Sequence, residues 1–338
     1  ALESAEQAGA RDPNLLLEAA RYCRSAGDYK RAKALYERLI MNYPTEPQAF
    51  EGRIEIAKTF QEQGMYRKAF EALRDLANLS INKPQFIPVQ FSLAELYEEM
   101  GFRSNAASTY AQIAGLSLDP RELARAIIGM LQNGALNEGL EAAKRVPIDV
   151  LPPADAYQFL KTFGNAMLKN DTSRGLTILE QAHSQYPDQR TGEDMLDLFN
   201  VYVLTDRLDN ARTLFEEIAR IAQTNPSELP VFQRAALIWG DYLYEKKDYA
   251  GAAEAYARVP PLSETSNDDQ AWATFQRASA LLHLKDYENA VPLLDEVAAG
   301  KNAWAPLAKQ KAAFARLEQT LSAQRPNMTT DKAQEETG

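Results

Sequence analysis

Few side chains in this chain could do chemistry by themselves. Two histidines, His183 and His283, stand a hundred residues apart, and neither has a second histidine or a cysteine at metal-ligand spacing. His183 follows Ala182 near a predicted helix end and reads as a solvated or capping residue. Cys23, the sole cysteine, falls on a helix face that must pack, so it reads as a small buried hydrophobe rather than a nucleophile. One cysteine also excludes an internal disulfide framework. No glycine-rich phosphate loop and no Gly-x-Ser-x-Gly elbow occurs. The carboxylate pairs Glu98-Glu99 and Glu216-Glu217 lie on predicted surface helices, where paired acids are ordinarily the wet face. Three glycosylation-type triplets (at Asn78, Asn170 and Asn327) are within chance for this length. No catalytic residue, metal site or cofactor is expected, so the reading is a binding protein and not an enzyme.

Composition narrows what could be bound. With 45% hydrophobic and 25% charged residues the chain has the make-up of a soluble globular protein. No apolar run approaches a membrane span, so direct membrane insertion is not expected. The net charge of −10 is uneven: residues 180–300 carry 21 acidic against 10 basic side chains, whereas residues 1–80 carry 12 of each. An acidic chain without a basic stripe is a poor match to a phosphate backbone, which argues against a nucleic-acid partner. The partner expected is a protein or peptide; the oligomeric state is open. The first residue, Ala1, suggests a processed or excised piece.

A repeat positions the surface such a partner would meet. Gly27-Asp28-Tyr29-Lys30-Arg31-Ala32 recurs as Gly64-Met65-Tyr66-Arg67-Lys68-Ala69, and again around Lys247-Asp248-Tyr249 and Lys285-Asp286-Tyr287. With the small residue after the turn as register mark, the copies fall at Ala32, Ala69, Ala106, Gly139, Gly175, Ala211, Ala252 and Ala290, spaced by 37, 37, 33, 36, 36, 41 and 38 residues. In the first copy Leu16, Ala19, Ala20 and Cys23 recur at helical spacing. Gly27 then stops that helix with a positive φ, and Asp28 caps a second one carrying Ala32, Tyr36 and Leu39. Pro44 closes it. Each unit reads as an αα-hairpin.

These positions resemble the tetratricopeptide repeat: Ala20, Gly27, Tyr29, Ala32, Tyr36 and Pro44 in the first unit, then Ala57, Phe60, Gly64, Tyr66, Ala69 and Leu73 in the second. The resemblance runs from about residue 14 to 300 and weakens near 120–190, where Gly139 and Gly175 replace the alanine and a bend or flexible point is expected. It implies an all-α fold, a right-handed superhelical solenoid of about eight hairpins with a C-terminal capping helix. The division expected is residues 1–12 as the remnant or cap of a preceding repeat, 13–300 as the solenoid, 301–324 as the capping helix and 325–338 as a disordered tail. The capping helix is expected to turn one stripe inward, comprising Trp304, Leu307, Ala308, Phe314, Leu317 and Leu321.

In the family resembled, the first helix of each hairpin lines a concave groove. One column in that register is Leu17, Ile54, Phe91, Ala124, Leu160, Leu196, Leu237 and Phe275, all apolar. The next is Arg21, Lys58, Glu95, Ile128, Gly164, Asn200, Asp241 and Ser279. Two readings are open. The first column is packing between repeats and the second a solvated face, or together they form a docking channel. In the channel reading Arg21, Arg24 and Lys58 accept an anion, Leu17, Ile54 and Phe91 hold apolar side chains, and Glu95, Asp241, Tyr244 and Phe275 continue the wall. The clamp for chaperone tails in some family members is absent, because its places read Leu17, Arg21, Pro88 and Ser92.

Tyr43-Pro44 and Tyr186-Pro187 resemble the repeat endings of bacterial envelope scaffolds. That resemblance implies a non-catalytic protein-interaction scaffold for assembly or secretion machinery, in the periplasm. A peptide-binding regulatory sensor, the repeat arm of a larger protein, and a cytoplasmic location are the alternatives.

Overall fold

The computed structural model describes residues 12–259 and 268–335, with side chains to residue 322. The expected helix within residues 1–12 falls almost wholly outside that range. Among the described residues the regular structure is helical, with no strand. The chain forms two compact units, Ala1–Gln189 and Arg190–Gly338.

The first unit holds five hairpins. They are α1 (Pro13–Ser25) with α2 (Tyr29–Asn42), α3 (Pro47–Glu62) with α4 (Tyr66–Ser80), α5 (Phe86–Glu99) with α6 (Arg103–Leu116), α7 (Pro120–Gln132) with α8 (Leu136–Ala143), and α9 (Pro153–Leu168) with α10 (Thr172–Gln185). The second holds three, α11 (Gly192–Leu204) with α12 (Leu208–Thr224), α13 (Leu229–Glu245) with α14 (Tyr249–Ala257), and α15 (Asp268–His283) with α16 (Tyr287–Ala299), followed by α17 (Ala305–Glu335). Every helix makes its substantial contacts with helices one or two places away in the chain, the nearest-neighbour packing of a repeat stack.

One turn is made seven times. The backbone N–H of Asp28 reaches back to the carbonyl of Cys23 at 2.9 Å, closing the helix end in the Schellman manner. Met65 to Phe60, Phe102 to Tyr97, Ala135 to Met130, Arg207 to Tyr202, Asp248 to Leu243 and Asp286 to Leu281 repeat it at 2.8–3.0 Å. The residue before each of these donors is left-handed: Gly27 at φ 78°, Gly64 at 71° and Gly101 at 76°, as the sequence predicts, but also Gly134 at 92°, Asp206 at 55°, Lys247 at 64° and Lys285 at 62°. Asp28, Asp248 and Asp286 then cap the second helix, their side chains accepting from the N–H of Arg31, Gly251 and Asn289.

A lysine pays a steric penalty at positive φ that glycine does not. Part of the gain from glycine is offset by its freer unfolded chain. Lys247→Gly with Lys285→Gly is expected to raise unfolding free energy by about 1 kcal/mol in total, read from denaturant titration. A loss of stability in the double variant would contradict the turn geometry.

The register marks Ala32, Ala69, Ala106, Ala211, Ala252 and Ala290 are 0% exposed, sites where a larger side chain would overpack. The fifth hairpin departs from the others. Its turn lacks the positive φ, Asp171 N–H bonding instead to the Met167 carbonyl at 2.8 Å. There α9 and α10 cross so closely that a Cβ on Gly175 would stand 2.5 Å from the Leu168 nitrogen and 2.9 Å from the Gly164 oxygen. Gly175 is a packing requirement, not a decayed alanine.

The stripe assigned to the capping helix is divided. Ala308, Ala312 and Ala315 are buried, the small side chains that let α17 lie close to its neighbours. Leu307, Phe314, Leu317 and Leu321 are turned to solvent. The helix also continues to Glu335, past the end expected at residue 324.

Candidate functional site

Along the first unit the leading helices of successive hairpins build a trough. One concavity of about 350 Å³ is walled by Phe50, Ile54 and Lys58 from α3, Phe91 and Glu95 from α5, and Arg125 from α7. A second of about 630 Å³ is walled by Arg121, Arg125 and Ile128 from α7 with Asp155 and Gln158 from α9. Glu122 and Arg125 belong to both walls, so the two adjoin.

The structure therefore brings together Ile54, Lys58, Phe91 and Glu95 among the residues singled out in the sequence. It also shows what each can offer. Leu17, Ile54, Phe91 and Phe275 are only 3–7% exposed and sit in the hydrophobic cores. Most of their surface is spent on packing between helices, and only Ile54 and Phe91 leave an edge at the trough floor. Phe91 is roofed by the Arg125 guanidinium, 4.2 Å from its ring centroid, and Arg125 pairs in turn with Glu95. Arg121 pairs with Asp155 at 2.7 Å.

Arg21 and Arg24 are not an open anion site. Arg21 binds Glu18 at 2.8 Å and Glu51, and lies 3.5 Å from Glu55. Arg24 lies 3.2 Å from Glu55 and pairs with Glu62. Glu55, its side chain 7% exposed, is the buried centre of this cluster and fastens α3 to α1. Burial works against the charge on Arg21, yet the hydrogen bond it donates to Glu18 and the fields of Glu51 and Glu55 outweigh it and hold the guanidinium above its ordinary value. The Tyr36 hydroxyl beneath is pushed up to about 12 by burial and by Glu55. Lys58 has no ion pair among the described residues, and it is the basic group the trough leaves available.

In the second unit Asp241 accepts from the Tyr256 hydroxyl at 2.5 Å and from Trp272 Nε1 at 3.3 Å. Tyr244 meets the His283 ring nitrogen at 3.1 Å, and His283 stacks on Tyr249 with centroids 4.1 Å apart. His183 is buried, edge-on to Tyr157, and not the solvated group expected, because its face of α10 packs on α9. Among the described residues no group of histidines, cysteines and acids could hold a metal ion. Lys311 reaches inward to Ser279 Oγ at 2.6 Å over the Phe275 ring, and burial lowers its ammonium below the usual lysine value. Arg121, Arg125, Asp155 and Lys311 were not apparent in the sequence. Arg125 directly follows a column residue, Ala124, and that adjacency is the signal that could have found it.

Fold and trough define a stack of helical hairpins whose first unit carries a lined concave face. The sequence profile of the tetratricopeptide repeat matches residues 13–56, which comprise α1, α2 and most of α3. Tetratricopeptide repeats bind protein partners, and the fold is generally that of a non-catalytic interaction scaffold. No curated protein matches the chain closely enough to count as a relative. Among solved structures, the TPR-like repeats of a Podosopora anserina protein named for kinesin light chain are 21% identical, with 54% of this chain and 100% of that one covered and a TM-score of 0.40. MamA of strain AMB-1 is 18% identical over 51% of this chain and 85% of that one, TM-score 0.37. A tetratricopeptide repeat protein of Parabacteroides merdae is 13% identical over 90% and 98%, TM-score 0.35. No helix among the described residues is long and apolar enough to cross a membrane.

Proposed function

We propose that the chain is a non-catalytic scaffold that holds an extended or helical segment of a protein partner in the trough of its first unit. The observation that carries this reading is the pair of adjoining concavities on α3, α5, α7 and α9. Together they offer apolar floor (Phe50, Ile54, Ile128), peptide-sized length and one uncommitted cation, Lys58. The same reading assigns the scaffold to assembly or secretion machinery of a bacterial envelope, in the periplasm. Support for that assignment is the resemblance of the Tyr43-Pro44 and Tyr186-Pro187 endings to envelope repeats.

The test is a displayed peptide library selected on the whole chain, with the selected peptides then measured against Lys58→Glu and Ile128→Glu. Each substitution is expected to weaken binding about tenfold or more while the thermal midpoint stays within a few degrees. Unchanged affinity in both folded variants would overturn the trough as the binding face.

A further inference from the structure

The walls of the trough in the first unit are rich in charge, but most of it is already paired. Arg125 is closed by Glu95, and Arg121 by Asp155 at 2.7 Å. Glu51 and Glu55 are held by Arg21, and Glu55 by Arg24 as well. A pair closed within the wall has little left for a ligand. A single charge attracts its opposite and penalises whatever covers it unpaired. The charges left open therefore select what the trough accepts.

They lie on two different walls. Lys58, in the C-terminal half of α3, has no ion pair among the described residues. In the same concavity Glu122 stands in the first turn of α7. Its Oε2 accepts from the Ser117 hydroxyl at 2.6 Å, and no cation pairs with it among the described residues. Ser117 is itself buried and accepts from the Asp119 N–H at 3.2 Å, so Glu122 is held in position. Asp119, on the wall of the adjoining concavity, turns Oδ1 to the N–H groups of Arg121 and Glu122 at 2.9 and 3.0 Å. It too has no cationic partner among the described residues. Phe91 of α5, the intervening leading helix, and Ile54 supply the apolar floor.

We infer, on the reading that the trough is the binding face, that its occupant is a protein segment of two opposite charges. An acidic side chain pairs with Lys58, a basic one with Glu122 and Asp119, and an apolar side chain between them meets Ile54 and Phe91. The unlike charges stand on α3 and α7, so the segment lies across the leading helices with its acid toward the first hairpins and its base toward α7. A segment with the charges reversed meets like charge at both ends. An uncharged one covers Lys58 and Glu122 without giving either a partner.

Selection of a displayed random peptide library on the whole chain tests this. Peptides recovered by the wild-type chain should share an acid and a base on either side of an apolar residue. Exchanging that acid for lysine should weaken binding to the wild type about tenfold or more, and Lys58→Glu should recover most of the loss. Exchanging the base for glutamate should weaken binding similarly, with partial recovery by Glu122→Lys because Asp119 remains. Glu122→Gln keeps an acceptor for the Ser117 hydroxyl and should reduce the preference for the base at unchanged helical content, which separates the charge from its part in the fold. Peptides that Ile128→Glu weakens, but whose charges can be exchanged without loss or recovery, overturn this inference and leave the trough as the binding face. A library that yields no binder, or only peptides indifferent to both Ile128→Glu and Lys58→Glu, overturns the trough and this inference with it.

Discussion

Gly175→Ala is expected to destabilise the first unit by about 3 kcal/mol or more. The added methyl would stand 2.5 Å from the Leu168 nitrogen, 2.8 Å from its Cα and 2.9 Å from the Gly164 oxygen. All three are backbone atoms of α9, so no side chain can rotate aside, and relief requires α9 and α10 to move apart. Gly240 offers the contrast: its Cβ would meet the Tyr256 ring at 2.6 Å, a side chain that can shift in part. Gly115 in α6 has nothing within 4 Å, and alanine there should gain a few tenths of a kcal/mol from helix propensity. Urea unfolding of Gly175→Ala beside Gly115→Ala gives the comparison. A Gly175→Ala variant within about 1 kcal/mol of wild type would mean that the crossing is not rigid.

Glu55→Ala is expected to cost about 3 kcal/mol, the effect of removing one partner from a buried ion pair. Glu55 is the acid that Arg21 and Arg24 share, at 3.5 and 3.2 Å. Without it the two guanidinium groups of α1 lie against α3 with only more exposed acids left to them, Glu18 and Glu51 for Arg21 and Glu62 for Arg24. Glu62→Ala, whose side chain is 39% exposed, should cost under about 1 kcal/mol. Equal losses for the two substitutions would sink the view that Glu55 holds the first two hairpins together.

What could be read from the sequence was the local part. Gly27, Gly64 and Gly101 stop helices with positive φ because little but glycine does so without strain, and Ala32 and its counterparts are small because they are wholly buried. These causes act within a few residues and leave a mark in the string. Asp206, Lys247 and Lys285 adopt the same left-handed turn with side chains that do not advertise it; their neighbours impose the geometry. Gly175 looked like a lapse in the pattern and is a requirement of the crossing. The acids closing off Arg21 and Arg24 lie thirty to forty residues onward, so spacing along one helix revealed the cations and hid their counterions. Periodicity likewise placed Leu17, Ile54 and Phe91 in one column without telling how much of each a neighbouring repeat would cover.

The short reach of every helix, whose substantial contacts extend one or two places along the chain, bears on how the protein comes into being. Contacts between near neighbours in sequence close small loops and form early. A hairpin leaving the ribosome, or emerging stepwise from a translocation channel, needs only the next hairpin to complete its core. The array can therefore be laid down in the order of its synthesis, and a chain delivered unfolded across a barrier would rebuild itself from whichever end arrives first.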